Sequence, residues 1–88
     1  MKEKLQAIIQ IIGTIDYNRA KLEKESAHIL SVECPRLLQE YQRTLNWSVW
    51  QQWEKRYDEA NRLHDEASKL FEKRMKLSAE YREALATM

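Results

Sequence analysis

The sequence predicts an all-α fold, a long antiparallel helical hairpin with coiled-coil character. Three observations lead there. One Gly and one Pro in 88 residues leave almost no turn punctuation. Apolar residues recur at helical spacing, and no stretch alternates with the period of two that a strand requires. The two periodic stretches, about 3–45 and about 49–86, match in length, so folding one back on the other covers both apolar stripes. The alternative is a three-helix bundle in which the chain reverses at Pro35, which divides it into less balanced pieces.

The first arm carries Leu5, Ile8, Ile9, Ile12, Ile15, Leu22, Ala27 and Leu30 as its stripe. Steps of about 3.6 residues extend it to Cys34, Leu37, Tyr41 and Leu45, in phase across Pro35. Apolar residues in phase on both sides favour one arm kinked at Pro35, with a bend near 31–35. Proline removes an internal hydrogen bond and crowds the preceding turn. Gly13 weakens the arm by up to ~1 kcal/mol relative to Ala and leaves room for another helix.

The turn is expected at Asn46-Trp47-Ser48. Ser48 stands three residues before Gln51, the spacing of a capping box, and is the expected N-cap of the second arm. That arm has a ladder of Trp53, Ala60, Ala67, Arg74 and Tyr81 at intervals of seven. Leu63, Leu70, Leu77 and Ala84 flank it on one side, and Tyr57, His64, Phe71 and Leu85 on the other. A repeat of seven sustained this long argues for a coiled coil. Arg74 interrupts the ladder and marks either the end of the core or the entry of a partner. Two helices alone enclose no centre, and these stripes are too wide for one neighbour. Pairing of two hairpins into a four-helix bundle, as a homodimer, is one way to cover them.

Composition narrows the function. The whole chain, 1–88, is one small domain. Its 15 basic and 14 acidic residues nearly cancel, so no basic field draws it to nucleic acid. Cys34 is the only cysteine, which argues against a disulfide scaffold and for a reducing compartment. Lys2 and Lys4 precede an apolar run, but Gln6 and Gln10 interrupt it and no small-residue cleavage site follows. A cytoplasmic protein with no membrane contact is expected.

Chemistry has little to stand on. His28, Cys34 and His64 are the soft metal-ligand types present, and they lack HExxH or CxxC spacing, so no metal or other cofactor is expected. Gly13 alone builds no phosphate-cradling loop, and two helices offer a nucleophile no cleft, so an enzyme is not expected. Asp58/Arg62, Asp65/Lys69 and Glu72/Lys76 are acid-before-base pairs at i,i+4 and read as a solvated face.

Two clusters remain. Trp47, Trp50, Trp53 and Tyr57 gather beside the turn, with the last three on one helical face. Such residues dominate interface energetics, so they are the candidate partner-binding site of an adaptor, inhibitor or chaperone-like accessory protein; they also suit the closed end of a core. Lys69, Lys73, Arg74 and Lys76 form the one local basic cluster, the candidate phosphate contacts of a nucleic-acid-binding hairpin dimer. In length and in having Trp at the turn the chain resembles the small secreted helical hairpins of the Trp-x-Gly family. The corresponding triplet here is Trp47-Ser48-Val49, without the glycine, and Tyr81 is followed four residues on by Leu85 rather than an acid. The resemblance implies architecture only.

Overall fold

The chain is all-α. The structure, a computed structural model, describes residues 2–87. Helix α1 spans Lys2–His28, a π-helical segment spans Ile29–Glu33, α2 spans Cys34–Thr44 and α3 spans Trp47–Ala86. The first three follow one another without a break and form a single arm. This arm lies beside α3 in the opposite sense: Asp16 meets Arg74, Ser26 meets Ala60, Glu33 meets Arg56 and Tyr41 meets Trp50. The molecule measures 65 × 14 × 13 Å, and its radius of gyration is 19.4 Å. A compact 88-residue domain would have about 12 Å. The chain does not reverse at Pro35, so the three-helix alternative does not occur.

Spacing explains which residues face inward. On α1 the inner row is Leu5, Ile8, Ile12, Ile15, Arg19, Leu22, Ser26 and, at the start of the π segment, Ile29, in alternating steps of three and four. Helix α3 answers with Val49, Trp53, Arg56, Ala60, Leu63, Ala67, Leu70 and Arg74 in the same alternation. This is the 3.5-residue period of a coiled-coil seam. Ala60 and Ala67 are 0% and 1% exposed, so the helix axes come close there. The Ser26 hydroxyl donates to the Ala60 carbonyl at 2.9 Å across that contact. Ile29, Cys34, Ala60 and Leu63 form the core cluster, with Leu22 and Trp53 packed on it.

The π segment solves a problem of register. Continued past Ile29, steps of three and four would bring Glu33, Arg36, Glu40 and Arg43 onto the seam. Of these only Glu33 has a charged neighbour on the partner, Arg56; Arg36, Glu40 and Arg43 would turn toward the end of α3 that carries Val49 and Trp53. A π turn carries one residue more than an α turn. The Cys34 N–H donates five residues back, to the Ile29 carbonyl, and the seam resumes on Cys34, Leu37 and Tyr41. Arg36, Glu40 and Arg43 are exposed. Pro35 follows directly, where its missing N–H costs the distorted turn little.

One expectation is corrected here. The stripe does not run at 3.6 residues per turn through Pro35. It keeps a strict 3.5 period to Ile29 and then skips one residue, so Ile9, Ala27 and Leu30 are exposed while Ile29 is buried. Near 31–35, where a bend or short break is expected, the helix carries this insertion, with right-handed helical dihedrals at His28, Glu33 and Cys34.

The turn is tighter than expected and capped by a different residue. Leu45 closes α2 in the left-handed region, φ 54°, with its N–H on the Tyr41 carbonyl at 2.6 Å. Asn46, not Ser48, is the N-cap of α3: its Oδ1 accepts from the Ser48 N–H at 3.0 Å and from the Ser48 hydroxyl at 2.9 Å. Ser48 is already inside the helix, because a two-residue link brings the chain round sooner than a capping box at Ser48 allows. Trp47 is therefore the first residue of α3.

Deleting exposed Ser31 together with Pro35→Ala restores an unbroken 3.5 period and keeps Cys34, Leu37 and Tyr41 on the seam. We expect this variant to stay fully helical by circular dichroism and to unfold in urea at or above the wild-type midpoint. Deleting exposed Lys21 turns Leu22, Ser26 and Ile29 off the seam, with Glu23, Ala27 and Leu30 in their places, and is expected to cost about 3 kcal/mol or more. Equal loss in both deletions would refute the register account. Leu45→Gly is expected to stabilise the turn by about 1 kcal/mol, because left-handed geometry penalises a Cβ; a lower urea midpoint would contradict it.

Candidate functional site

The aromatic residues singled out by the sequence form one continuous ladder, and a fifth ring joins it. Tyr41 of α2 meets Trp50 at 5.2 Å between centroids, and Trp47 stacks on Trp50 at 6.2 Å. Trp50 meets Trp53 at 5.0 Å, and Trp53 stacks on Tyr57 at 5.3 Å. Steps of three, three and four place these residues within about one third of the circumference of α3. Offset and tilted rings at such distances contribute about 0.5–1.5 kcal/mol per pair beyond their buried area.

The ladder grades from core to solvent. Trp53 sits on the seam and packs on the buried cluster. Trp50 is half-buried, and its indole N–H donates to Glu54 Oε1 at 2.6 Å. Trp47 is 60% exposed and Tyr57 42%. Leu45, at the adjoining turn, is 74% exposed. The cluster is thus both the end of the core and an apolar outer surface in which each ring leans on the next. Tyr41 was legible only as part of the first arm's stripe. Its place in the ladder follows from the register step at the π segment, which no local spacing reveals.

The basic cluster divides. Lys69, Lys73 and Lys76 are exposed and share one face of α3 at i, i+4 and i+7. Arg74 points elsewhere: it lies on the seam, and its Nε donates to Asp16 Oδ1 at 2.7 Å. Its charge is committed to holding the arms in register, so the row open to a phosphate consists of the three lysines. The ion pairs also differ from those read off the sequence. Arg62 binds Glu59 and Glu66 rather than Asp58, because its guanidinium reaches both carboxylates on its own side of the helix. Those contacts raise the Arg62 pKa, and the Arg62 hydrogen bond holds Glu59 below the usual carboxylate range.

A second ion pair joins the arms nearer the turn. Arg56 Nη2 donates to Glu33 Oε2 at 2.8 Å. This hydrogen bond holds the Glu33 carboxyl below its ordinary range and raises the Arg56 pKa. Arg56 Nε is buried and carries no hydrogen bond. Cys34, one residue from Glu33, is buried, and its thiol is pushed up first by burial and then by the Glu33 charge. That is the environment of an inert thiol. His28 and His64 are exposed. Among the described residues no group of three His, Cys, Asp or Glu side chains is placed to hold a metal ion, and no helix is long and apolar enough to cross a membrane.

No protein-family model, curated protein or solved structure matches the chain.

The Glu33–Arg56 pair makes stability depend on pH in a definite direction. A carboxyl depressed by folding contributes above its ordinary pKa, and the contribution is lost as pH falls through the lowered folded value. We therefore expect the urea midpoint to hold near neutrality and to decline between about pH 5 and pH 3. Glu33→Gln should flatten part of that decline while lowering the neutral midpoint. An unchanged acid limb in this variant would show that Glu33 is not responsible.

Proposed function

We propose that this chain is a non-enzymatic protein-binding module, a helical hairpin that presents the ladder of Trp47, Trp50, Trp53 and Tyr57 to another protein. One observation carries the reading. Four large rings of α3 and Tyr41 are locked in sequential contact, yet the outer members stay exposed. Rings already ordered lose little conformational freedom on binding, and aromatic anchors supply most of the energy of protein interfaces. The near-balanced charge, the inert Cys34 and the lack of an enclosed cleft fit an adaptor, inhibitor or chaperone-like accessory protein working in the cytoplasm. Pairing of two hairpins into a four-helix bundle is part of the same proposal, since each arm here covers only one side of the other.

The second reading rests on the exposed row of Lys69, Lys73 and Lys76, which suits phosphates. A formal charge of +1 gives it little long-range attraction, so the protein-binding reading is preferred.

Binding distinguishes the two. Trp47→Ala with Trp50→Ala spares the core-packed Trp53, so the helical content should be unchanged. A partner retained by the immobilised wild-type chain should be lost by this variant, with affinity falling about thirtyfold or more. Replacing the three lysines by Ala should leave that partner bound, and affinity should respond weakly to salt. Retention by a folded tryptophan variant would sink the proposal; steep salt dependence with loss in the lysine variant would establish the phosphate reading instead.

A further inference from the structure

We propose that the π insertion has a second seat, between Leu22 and Ala27, and that the first arm exchanges between the two registers. The exchange trades Ser26 and Ile29 for Ala27 and Leu30 on the seam and leaves both ends of the arm in place.

The seam needs one extra residue, and the sequence accepts it in more than one place. At present the long step runs from Ile29 to Cys34, where the Cys34 N–H donates to the Ile29 carbonyl. A long step from Leu22 to Ala27 reaches the same later register. Leu30, Cys34, Leu37 and Tyr41 then follow Ala27 in steps of three and four. Halfway, steps of four from Ser26 to Leu30 and on to Cys34 exchange Ile29 for Leu30 alone. The insertion can therefore move one turn at a time. Its range has limits: an earlier seat brings Glu23 onto the seam, and a later one brings Arg36.

The two seams match in size. Leu30 is an isomer of Ile29, and Ala27 differs from Ser26 by one hydroxyl oxygen. Volume-conserving exchanges of this kind disturb a core least. Ile29 is 4% exposed and Leu30 42%, so the exchange hides about as much apolar surface as it uncovers.

Two features hold the present seat. The Ser26 hydroxyl donates to the Ala60 carbonyl at 2.9 Å, a bond Ala27 cannot make. Pro35 stands directly after the insertion, and moving the insertion back encloses Pro35 in unbroken α-helix, where its ring crowds the Ser31 carbonyl. One fault opposes them. Arg56 Nε is buried without a hydrogen bond, beside a hollow that Glu25, His28, Ile29 and Glu33 line. Turning Glu25, His28 and Ile29 aside opens that hollow to water, which can accept from Nε.

In the exchange the residues between the two seats turn together by about 100°, the angle of one residue. Register shifts of helices run in microseconds to milliseconds. Ile29 comes to the surface and Leu30 leaves it. A partner that touches this segment therefore selects one register, and binding there is coupled to the position of the insertion.

Thiol labelling of Ser26→Cys in a Cys34→Ala chain tests the exchange. At low urea the labelling rate should be nearly independent of urea, because a change of register exposes little new surface; labelling through global unfolding rises steeply with urea. Adding Pro35→Ala should raise the flat rate more than about tenfold. Adding the Ser31 deletion to that chain removes the insertion with Ser26 inward, and only the steep phase should remain. Deleting Lys24 instead gives an unbroken seam through Leu22, Ala27 and Leu30. This chain should keep its helical circular dichroism, withstand more urea than the chain lacking Lys21, and label at position 26 as fast as an exposed thiol. A steep response alone in the starting chain, a flat phase that survives deletion of Ser31, or a Lys24 deletion no more stable than that of Lys21 would each overturn the proposal.

Discussion

One geometric constraint governs this molecule: a single apolar seam has to run the whole length of two helical arms. Two α-helices stay in contact over many turns only where their inward residues repeat every 3.5 positions. Helix α3 meets that condition from Val49 to Ala84 without a slip. The first arm meets it only as far as Ile29, after which an unbroken repeat would turn Glu33, Arg36, Glu40 and Arg43 inward. The π segment Ile29–Glu33 absorbs one residue and returns Cys34, Leu37 and Tyr41 to the partner. The irregular backbone is the cheaper fault. Losing ideal geometry over one turn costs less than turning Arg36, Glu40 and Arg43 toward the apolar residues of the seam.

The seam is not uniformly apolar, and its polar members divide the labour. Ala60 and Ala67 let the axes approach, and Ser26 uses that approach to reach a backbone carbonyl. Arg56 with Glu33, and Arg74 with Asp16, bridge the arms on either side of that contact. All four side chains keep some solvent contact, so screening leaves each pair a small net contribution to stability. Their larger effect is on specificity. Sliding α3 by one heptad would part both pairs and separate Ser26 from Ala60, so competing registers lose several contacts at once.

The surface follows from the seam. Once Trp53, Ala60, Ala67 and Arg74 are fixed inward, the neighbouring row of Trp50, Tyr57, Phe71 and Leu85 is carried to one outer side, while Lys69, Lys73 and Lys76 face away from it. This side carries exposed Tyr57, Phe71, Met75 and Leu85, interrupted by His64 and Ser78. A rod 14 Å thick has no second layer to bury this side.

Much of this was legible in the residues themselves. The lack of Gly and Pro dictated helix, and the seven-residue ladder of α3 dictated which of its faces packs, because local periodicity in an uninterrupted helix maps directly onto angle. The clustering of Trp47, Trp50, Trp53 and Tyr57 followed from the same arithmetic. The exceptions all involve a choice between near-equal local alternatives. Asn46 and Ser48 are both good caps, and the length of the link decided between them. Leu30 and Ile29 are both apolar, and only contact with the partner helix decided that Ile29 turns inward. Arg74 stood in the ladder with no visible partner, and only the fold brought Asp16 of the other arm opposite it and Glu33 opposite Arg56. Composition and spacing thus determined that this chain is helical and where its aromatic side lies. The tertiary structure alone decided the register between the arms, because register is a property of two surfaces meeting and neither surface encodes it alone.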